Sequence, residues 1–526
     1  MNFGAEDSIV LLGLLAAGAA LLAIAQVVRV PYPILLVLGG LALGFVPGMP
    51  TIELSPDLVL VAFLPPLLYG AAFFTPLREL RANAGSISTL AVGLVLATTV
   101  AVAVVAHAVI PELTWPTAFV LGAIVSPTDP TAATAIAQRL GLPRRLIAII
   151  EGESLVNDGT ALVVYRVAVV AVVTGSFSLA SASARFVLSV IGGIAVGLAA
   201  GIVIRQVRRR LNNPPVEITI SILSGYFAYL PAHALDVSGV LAAVTVGVYM
   251  GWYTPELTTS QTRLQGQAVW EIVFLGLNAV LFALIGLQLP AILDELSAAL
   301  STGELLGYAA LVTAVVVLVR FVWVVVGAYM PRMMRAGGSP PWKGAVVLSW
   351  SGMRGAVSLA AALALPLTTD ADAAFPNRDL IVFLTFGVIL GTLVVQGLTL
   401  PGLIRWLDLE DDGLVEKEEV KARIRAAEAA LARLDELVDE DWVNEDTAER
   451  MRGLYGFRRD RFRSRFDPES DGAIEGQSLS YQRLRRELLE AERQELRRLR
   501  LEGHIDDDVV RRVQRDLDLE NERLDI

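Results

Sequence analysis

The sequence contains no cysteine in its 526 residues. That excludes disulfides and thiolate metal sites, and it leaves the compartment open. Histidine is nearly as scarce: His107, His233 and His504 are the only three, and they offer no metal cluster. There is no HExxH and no nucleophile elbow, and the C-terminal part holds no nucleotide loop, EF-hand or kinase-like motif. Charge is thin over most of the chain. Residues 1–407 carry 20 basic and 20 acidic side chains, whereas 408–526 carry 23 and 34, so the whole net charge of −11 belongs to the second part. The opening MNFGAEDSIV lacks the basic region and small-residue cleavage pattern of a secretory signal, so the first apolar run reads as a retained helix.

What the sequence has is apolar length. It is 54% hydrophobic with a mean hydropathy of +0.58, which is the composition of an all-α polytopic membrane protein. Thirteen apolar segments stand between Pro, Gly and charge: 8–28, 33–47, 57–74, 86–110, 117–138, 146–173, 186–205, 216–232, 237–252, 268–290, 303–330, 343–367 and 380–404. With thirteen spans, Arg29, Arg78, Arg81, Arg139, Arg144, Arg145, Arg205, Arg208, Arg209, Arg210, Arg263, Arg332, Arg335 and Lys343 all fall on one side, and only Arg185 and Arg378 on the other. A missed or invented helix would scramble that alternation. By the positive-inside rule the N-terminus is then outside and the C-terminus cytoplasmic.

Thirteen also divides as six, a connecting seventh and six. The fifth span contains AIVSPTDPTAATA, where Pro127 and Pro130 remove donors and break the helix near Thr128 and Asp129. The twelfth contains LSWSGMRGAVSLA, with Gly352 and Gly355 around Arg354. Interrupted segments at matched positions point to two inverted six-helix repeats with a midplane site, the layout of a transporter.

The sixth span carries EGESLVNDGTALVVYRVAVV, a cluster of Glu151, Glu153, Ser154, Asn157 and Asp158 inside a membrane-length segment. An ionised carboxylate in hydrocarbon is costly, so such residues mark a pathway or are neutralised by a partner. The bland reading is a buried polar patch tying helices together; an ion site centred on Asp158 is the reading adopted. On a helix, Ser154 and Asp158 lie one turn apart on one face, and Glu153 and Asn157 on the adjacent face. At ~1.5 Å per residue, Asp158 is about 16 Å into its span. Asp129, Arg320 and Arg354 reach a similar depth on spans five, eleven and twelve. Arg320 sits in VTAVVVLVRFVWVVV and needs a buried anion. Glu153 is the expected partner, with Arg354 competing for it, and such a pair is structural, since a carboxylate held by arginine is a poor proton carrier. Asp158 has only a hydroxyl and an amide beside it and is free to exchange a proton. A small hard cation would take the Asp158 carboxylate, the Ser154 hydroxyl and a freed backbone carbonyl near Thr128, so that proton and cation compete for one carboxylate.

PTDPTAATAI, GLPRRL, EGESLVNDGTALVVY and SGMRGAVSLA, in this order, resemble the monovalent cation:proton antiporter family, the NhaP-like and sodium/proton exchanger branch, in its bacterial forms with a long cytoplasmic tail. The resemblance covers residues 8–405. It implies exchange of Na⁺, or K⁺ or Li⁺, for H⁺ across the cell's inner (plasma) membrane by a homodimer without a cofactor. Each subunit would have a dimerisation domain and a moving core that holds both broken helices. It further implies that Asn157–Asp158 is the Asn-Asp pair of electroneutral relatives. Asp158 would be the shared carrier, with Ser154, Thr128 and Asp129 around the ion. Asn157 would orient the crossed helices, and Glu153 with Arg320 or Arg354 would form the buried ion pair. Gly70 stands where several relatives have an acid, so one carboxylate ligand is missing here.

Elsewhere the readings are plainer. Arg166 lines a vestibule or snorkels, and Glu271 is interfacial. Glu151 attracts cations at the mouth or merely faces water. After the antiporter-like domain, 1–407, comes a charged helical tail, 408–526, with an acidic linker DLEDDGLVEKEEV. A helical stretch follows in which Ile424, Ala427, Leu431, Leu434 and Val438 recur, then a loop over 464–480, then a second helical stretch bearing Leu484, Leu488, Leu489 and Leu496. A cation channel would show filter loops and an intramembrane hydrolase a catalytic pair; neither pattern is present.

Overall fold

The computed structural model describes residues 32–46, 56–175, 179–296, 300–333, 342–409, 413–464 and 473–522, with a few positions between 18 and 28. The first expected span, Arg29 and Arg335 lie largely or wholly outside them. Contacts divide the chain into two compact units, Met1–Asp411 and Asp412–Ile526. No β-strand occurs among the described residues beyond one isolated bridge, Thr368 to Ala374.

The first unit is built from α1 (Tyr32–Gly44), α2 (Pro56–Phe74), α3 (Ala84–Val109), α4 (Trp115–Val125), α5 (Thr131–Arg139), α6 (Arg144–Thr174), α7 (Leu179–Arg208), α8 (Pro214–Ala234), α9 (Gly239–Leu257), α10 (Ser260–Leu296), α11 (Thr302–Met333), α12 (Trp342–Trp350), α13 (Ala356–Leu363) and α14 (Arg378–Leu407). A short helix, Leu77–Ala82, bridges α2 and α3. Six of these helices are long and apolar enough to cross a membrane. The chain is an integral membrane protein, and its surface says so as well: α7 turns Val187, Leu188, Ile191, Leu198, Ile202 and Val203 outward, apolar faces that only lipid or another apolar surface would cover. The opposite face of α7 is small, with Gly193, Gly197 and Gly201 set against Ser238, Ala242 and Tyr249.

Two apolar runs that the sequence presents as single spans are each interrupted. α4 stops at Val125 and α5 starts at Thr131, with Pro127 and Pro130 between them. α12 stops at Trp350 and α13 starts at Ala356, around Gly352 and Gly355. Each break frees carbonyls at one helix end and N–H groups at the next start, and in the buried interior those groups need partners. The connections cross: the Asp129 amide donates to the Met353 carbonyl at 2.8 Å.

The second unit has α15 (Leu414–Leu437), α16 (Glu445–Ser464), α17 (Ala473–Leu501) and α18 (Asp507–Glu522). Two expectations for it need correcting. The acidic stretch is already helical from Leu414, and 473–480 belong to α17, not to a loop. Both helices extend through polar sequence because flanking turns that already pack carry the extra residues with them. Residues 465–472 lie outside the described set.

Candidate ion site

Four half-helix ends meet at the crossing, and three side chains satisfy them. Asp129 accepts at Oδ1 from the Thr131 amide (2.9 Å) and at Oδ2 from the Ala356 amide (3.1 Å), so one carboxylate caps the N-termini of both α5 and α13. Arg354, fully buried, donates from Nε to the carbonyl of Val125, the last residue of α4, at 3.0 Å, and from Nη1 to the Gly352 carbonyl. Arg320 donates from Nε and Nη2 to the Leu348 carbonyl in the last turn of α12, at 3.1 and 2.9 Å. A negative group thus sits at the two helix starts and positive groups at the two helix ends, each complementing the local dipole. Thr392 of α14 adds an acceptor for the Arg354 amide at 3.1 Å.

Arg320 also holds Glu153 in a two-pronged pair, Nη1 to Oε1 and Nη2 to Oε2, the latter at 2.9 Å, with both side chains 1% exposed. The alternative partnership with Arg354 is not made. Arg354 spends its donors on carbonyls and one nitrogen, Nη2, has no partner among the described residues. Asp129 lines the same cavity as Asp158, and both of its oxygens also accept from backbone amides. The sequence shows the charges of these groups; it does not show that helix ends, through their carbonyls and amides, compete for them.

The polar run of α6 meets the first break. Asn157 donates from Nδ2 to the Thr128 hydroxyl at 2.8 Å, tying α6 to the α4–α5 break. Thr128 lies 3.2 Å from the Ser154 hydroxyl and donates to Glu153 Oε1 at 3.4 Å. All four side chains are buried. Thr128 and Ser154 are therefore brought together, but their hydroxyls face each other and Glu153, and neither bonds to Asp158.

Asp158 has no hydrogen-bond or ion-pair partner among the described residues. It lines a cavity of about 790 Å³ that also touches Thr128, Asp129, Ser154 and the α13 start from Gly355 to Ser358. Towards the start of α6 the cavity is bordered by Glu79, Arg144, Glu151 and Glu271, where Arg144 and Glu79 pair at 2.5 Å. It runs along α6 from Arg144 to Asp158, about 21 Å at ~1.5 Å per residue. No α6 residue beyond Asp158 lines it. Glu271, expected at the interface, is part of this wall, and Glu151 is too. Tyr32 and Asn278, missed in the sequence, also line it; their only signal there was polarity in otherwise apolar spans. Gly70 lines it as well, with the rings of Trp270 and Phe274 packed where a side chain would stand.

Crossed, interrupted helices with capped ends, next to a carboxylate at the bottom of a one-sided cavity, define a membrane transporter of the antiporter type. The sodium/hydrogen exchanger transmembrane family matches residues 13–406, and the chain belongs to that family. It is 37% identical to a protein of Mycobacterium tuberculosis named as an uncharacterized Na(+)/H(+) exchanger, over 94% of this chain and 92% of that one. The sodium, potassium, lithium and rubidium/H(+) antiporter of Bacillus subtilis is 35% identical over 71% of this chain and 57% of its own length. Among solved structures, the sodium proton antiporter MjNhaP1 of Methanocaldococcus jannaschii superposes with a TM-score of 0.62 at 19% identity, over 77% of this chain and 99% of that one. That likeness bears on the fold alone. The family is one of transporters, not enzymes, which bears out the sequence reading at that level.

Proposed function

We propose that the chain exchanges Na⁺ for H⁺, one for one, with Asp158 as the single carrier. The observation that carries this reading is a charge balance. In the crossing, Arg320 and Arg354 are matched by Glu153 and Asp129, and every one of these four groups is engaged by a helix end or by its ion partner. Asp158 is the odd carboxylate, without a partner among the described residues and beside a cavity. Either a proton or a monovalent cation neutralises it, and the two cannot do so together. The cation would take oxygen from Asp158, Ser154, the Thr128 backbone and water. Asn157 and Thr128 set the position of α6 against the break.

The same reading places thirteen spans in two inverted repeats, with the Arg144 mouth on the cytoplasmic side of the plasma membrane. It supports this with the charge alternation of the loops and the two matched breaks. The N-terminus is outside, the 408–526 tail cytoplasmic, and the working unit a homodimer, as the family resemblance implies. K⁺ and Li⁺ are the alternative cations, and the breadth in the name of the Bacillus relative makes them worth comparing. Everted vesicles carrying a pH dye provide the test. NaCl should dissipate a preformed ΔpH in vesicles with the native protein, and KCl and LiCl rank the cation. Asp158→Asn should give none of it while the protein stays folded; appreciable exchange by that variant sinks the carrier.

A further inference from the structure

Exchange through Asp158 requires that the carboxylate be reached from both faces, yet the cavity reaches it from the Arg144 side only. On the other side α6 is closed against the corner where α8 meets α9. Thr160, Ala161, Leu162, Val163 and Tyr165 are buried, and Gly159 packs so tightly that a β-carbon there would stand 2.7 Å from Leu241 Cδ2. Two turns beyond Asp158, Arg166 reaches across to that corner. Its Nη1 donates to the Val237 carbonyl at 3.3 Å and its Nη2 to His233 Nδ1 at 3.4 Å. Arginine can only donate, so His233 accepts at Nδ1 and carries its proton on Nε2.

The corner itself is well fixed. The Val237 amide donates to the Ala232 carbonyl at 3.0 Å, and the His233 ring stacks on buried Tyr229 with centroids 6.1 Å apart and planes 12° from parallel. The half-buried guanidinium is thus held by an acceptor pair on a neighbouring element, at an edge where His233 itself is exposed. Both bonds are long for a charged donor, which makes them a bridge that can part at modest cost.

We propose that Arg166, with His233 and the Val237 carbonyl, is the latch that closes the side of the pathway opposite the cavity, and that it opens each time Asp158 is exposed there. Arg166 is a positioning residue: it biases the two exposures of the carrier and does not touch the ion. The proposal deepens the carrier reading above and rests on it for the need to open at all.

Two measurements on the full-length protein test it. In vesicles of both orientations, Arg166→Ala should raise the apparent Na⁺ affinity on the face opposite the cavity by about threefold and lower it on the cavity face, because apparent affinity scales with the population of the competent state. Arg166→Lys, which keeps a donor, should shift both less. Equal affinities, or two affinities moving in the same direction, would overturn the latch, since a merely structural loss has no preferred face. The second measurement uses the absence of native thiols. Arg166→Cys with His233→Cys, bridged by a reducible bifunctional thiosulfonate, should stop exchange, and reductant should restore it. A bridged protein that exchanges at its unbridged rate would show that the elements need not part there. Exchange surviving in Asp158→Asn would remove the carrier and leave both of these readouts intact, so the two failures are distinct.

Discussion

Glu153 and Asp158 are five residues apart on α6, and their surroundings make opposite demands. Glu153 is 1% exposed and both of its oxygens face the Arg320 guanidinium, which in turn holds the Leu348 carbonyl. Replacing it by glutamine leaves a buried, permanently charged arginine with only a carbonyl and an amide, a loss of roughly 3–5 kcal/mol for one broken buried pair. Asp158→Asn removes a carboxylate that has no partner among the described residues, so it should cost little. Thermal unfolding in detergent should therefore rank Glu153→Gln well below both Asp158→Asn and the native protein. Equal melting temperatures for the two variants would mean that the pair contributes nothing to folding. Depth along the spans was enough to bring Glu153 and Arg320 together on the page of the sequence. It was not enough to separate Arg320 from Arg354, because the deciding partners are backbone carbonyls at helix ends, and these carry no residue identity.

At the scale of elements, the crossing stands on close approach as much as on charge. Asp129 reaches the Ala356 amide because Gly355, one residue earlier, has no side chain; a β-carbon there would overlap the Asp129 carboxylate itself. Gly352 does the same for the Arg320 guanidinium. Gly355→Ala should displace Asp129 from the α13 start and strand buried amides, each lost bond costing about 1–3 kcal/mol. Asp129→Asn turns one acceptor into a donor aimed at a backbone N–H and should be destabilising to a similar degree. Both variants should melt earlier and transport less, and a Gly355→Ala protein with native stability would refute the contact. Both breaks were legible beforehand, in Pro127 and Pro130 and in Gly352 and Gly355. Most of the apolar runs from 33 to 404 likewise match helices within a few residues, because membrane length and punctuation are one-dimensional signals; 186–205 and 268–290 fall inside the longer helices Leu179–Arg208 and Ser260–Leu296, whose polar ends carry no such signal. The caps were not legible. Asp129 and Arg354 were read as ion-site and ion-pair residues, since a sequence shows a charge in a span and not which of four helix ends it faces. The start of α17 was missed for a weaker reason: Gly476 and the serines near it resemble a loop, and only packing of the following turns overrides that.

For the whole molecule, the proposal of a single carrier carboxylate implies a fixed ratio. Arg320 and Glu153 are committed to each other in a two-pronged pair. Asp129 is committed to two backbone amides and Arg354 to carbonyls. The neighbour of Asp158 is Asn157, whose amide cannot titrate. If Asp158 is the single carrier, as proposed above, it binds one proton or one monovalent cation, and each loaded form carries the same charge across. One cation would then exchange for one proton, and transport would follow the ion gradients and not the membrane potential. Residues beyond Asp411 belong to a separate compact unit, so on this reading removing them should leave the ratio unchanged even where it alters the rate. Reconstituted protein on a solid-supported membrane makes the measurement. A Na⁺ jump should produce no sustained current beyond a brief binding transient, with or without the tail, while a pH dye in parallel liposomes reports exchange. A sustained current that scales with transport and vanishes in Asp158→Asn would require a second coupled charge, and the balance drawn around the crossing would have to be redrawn.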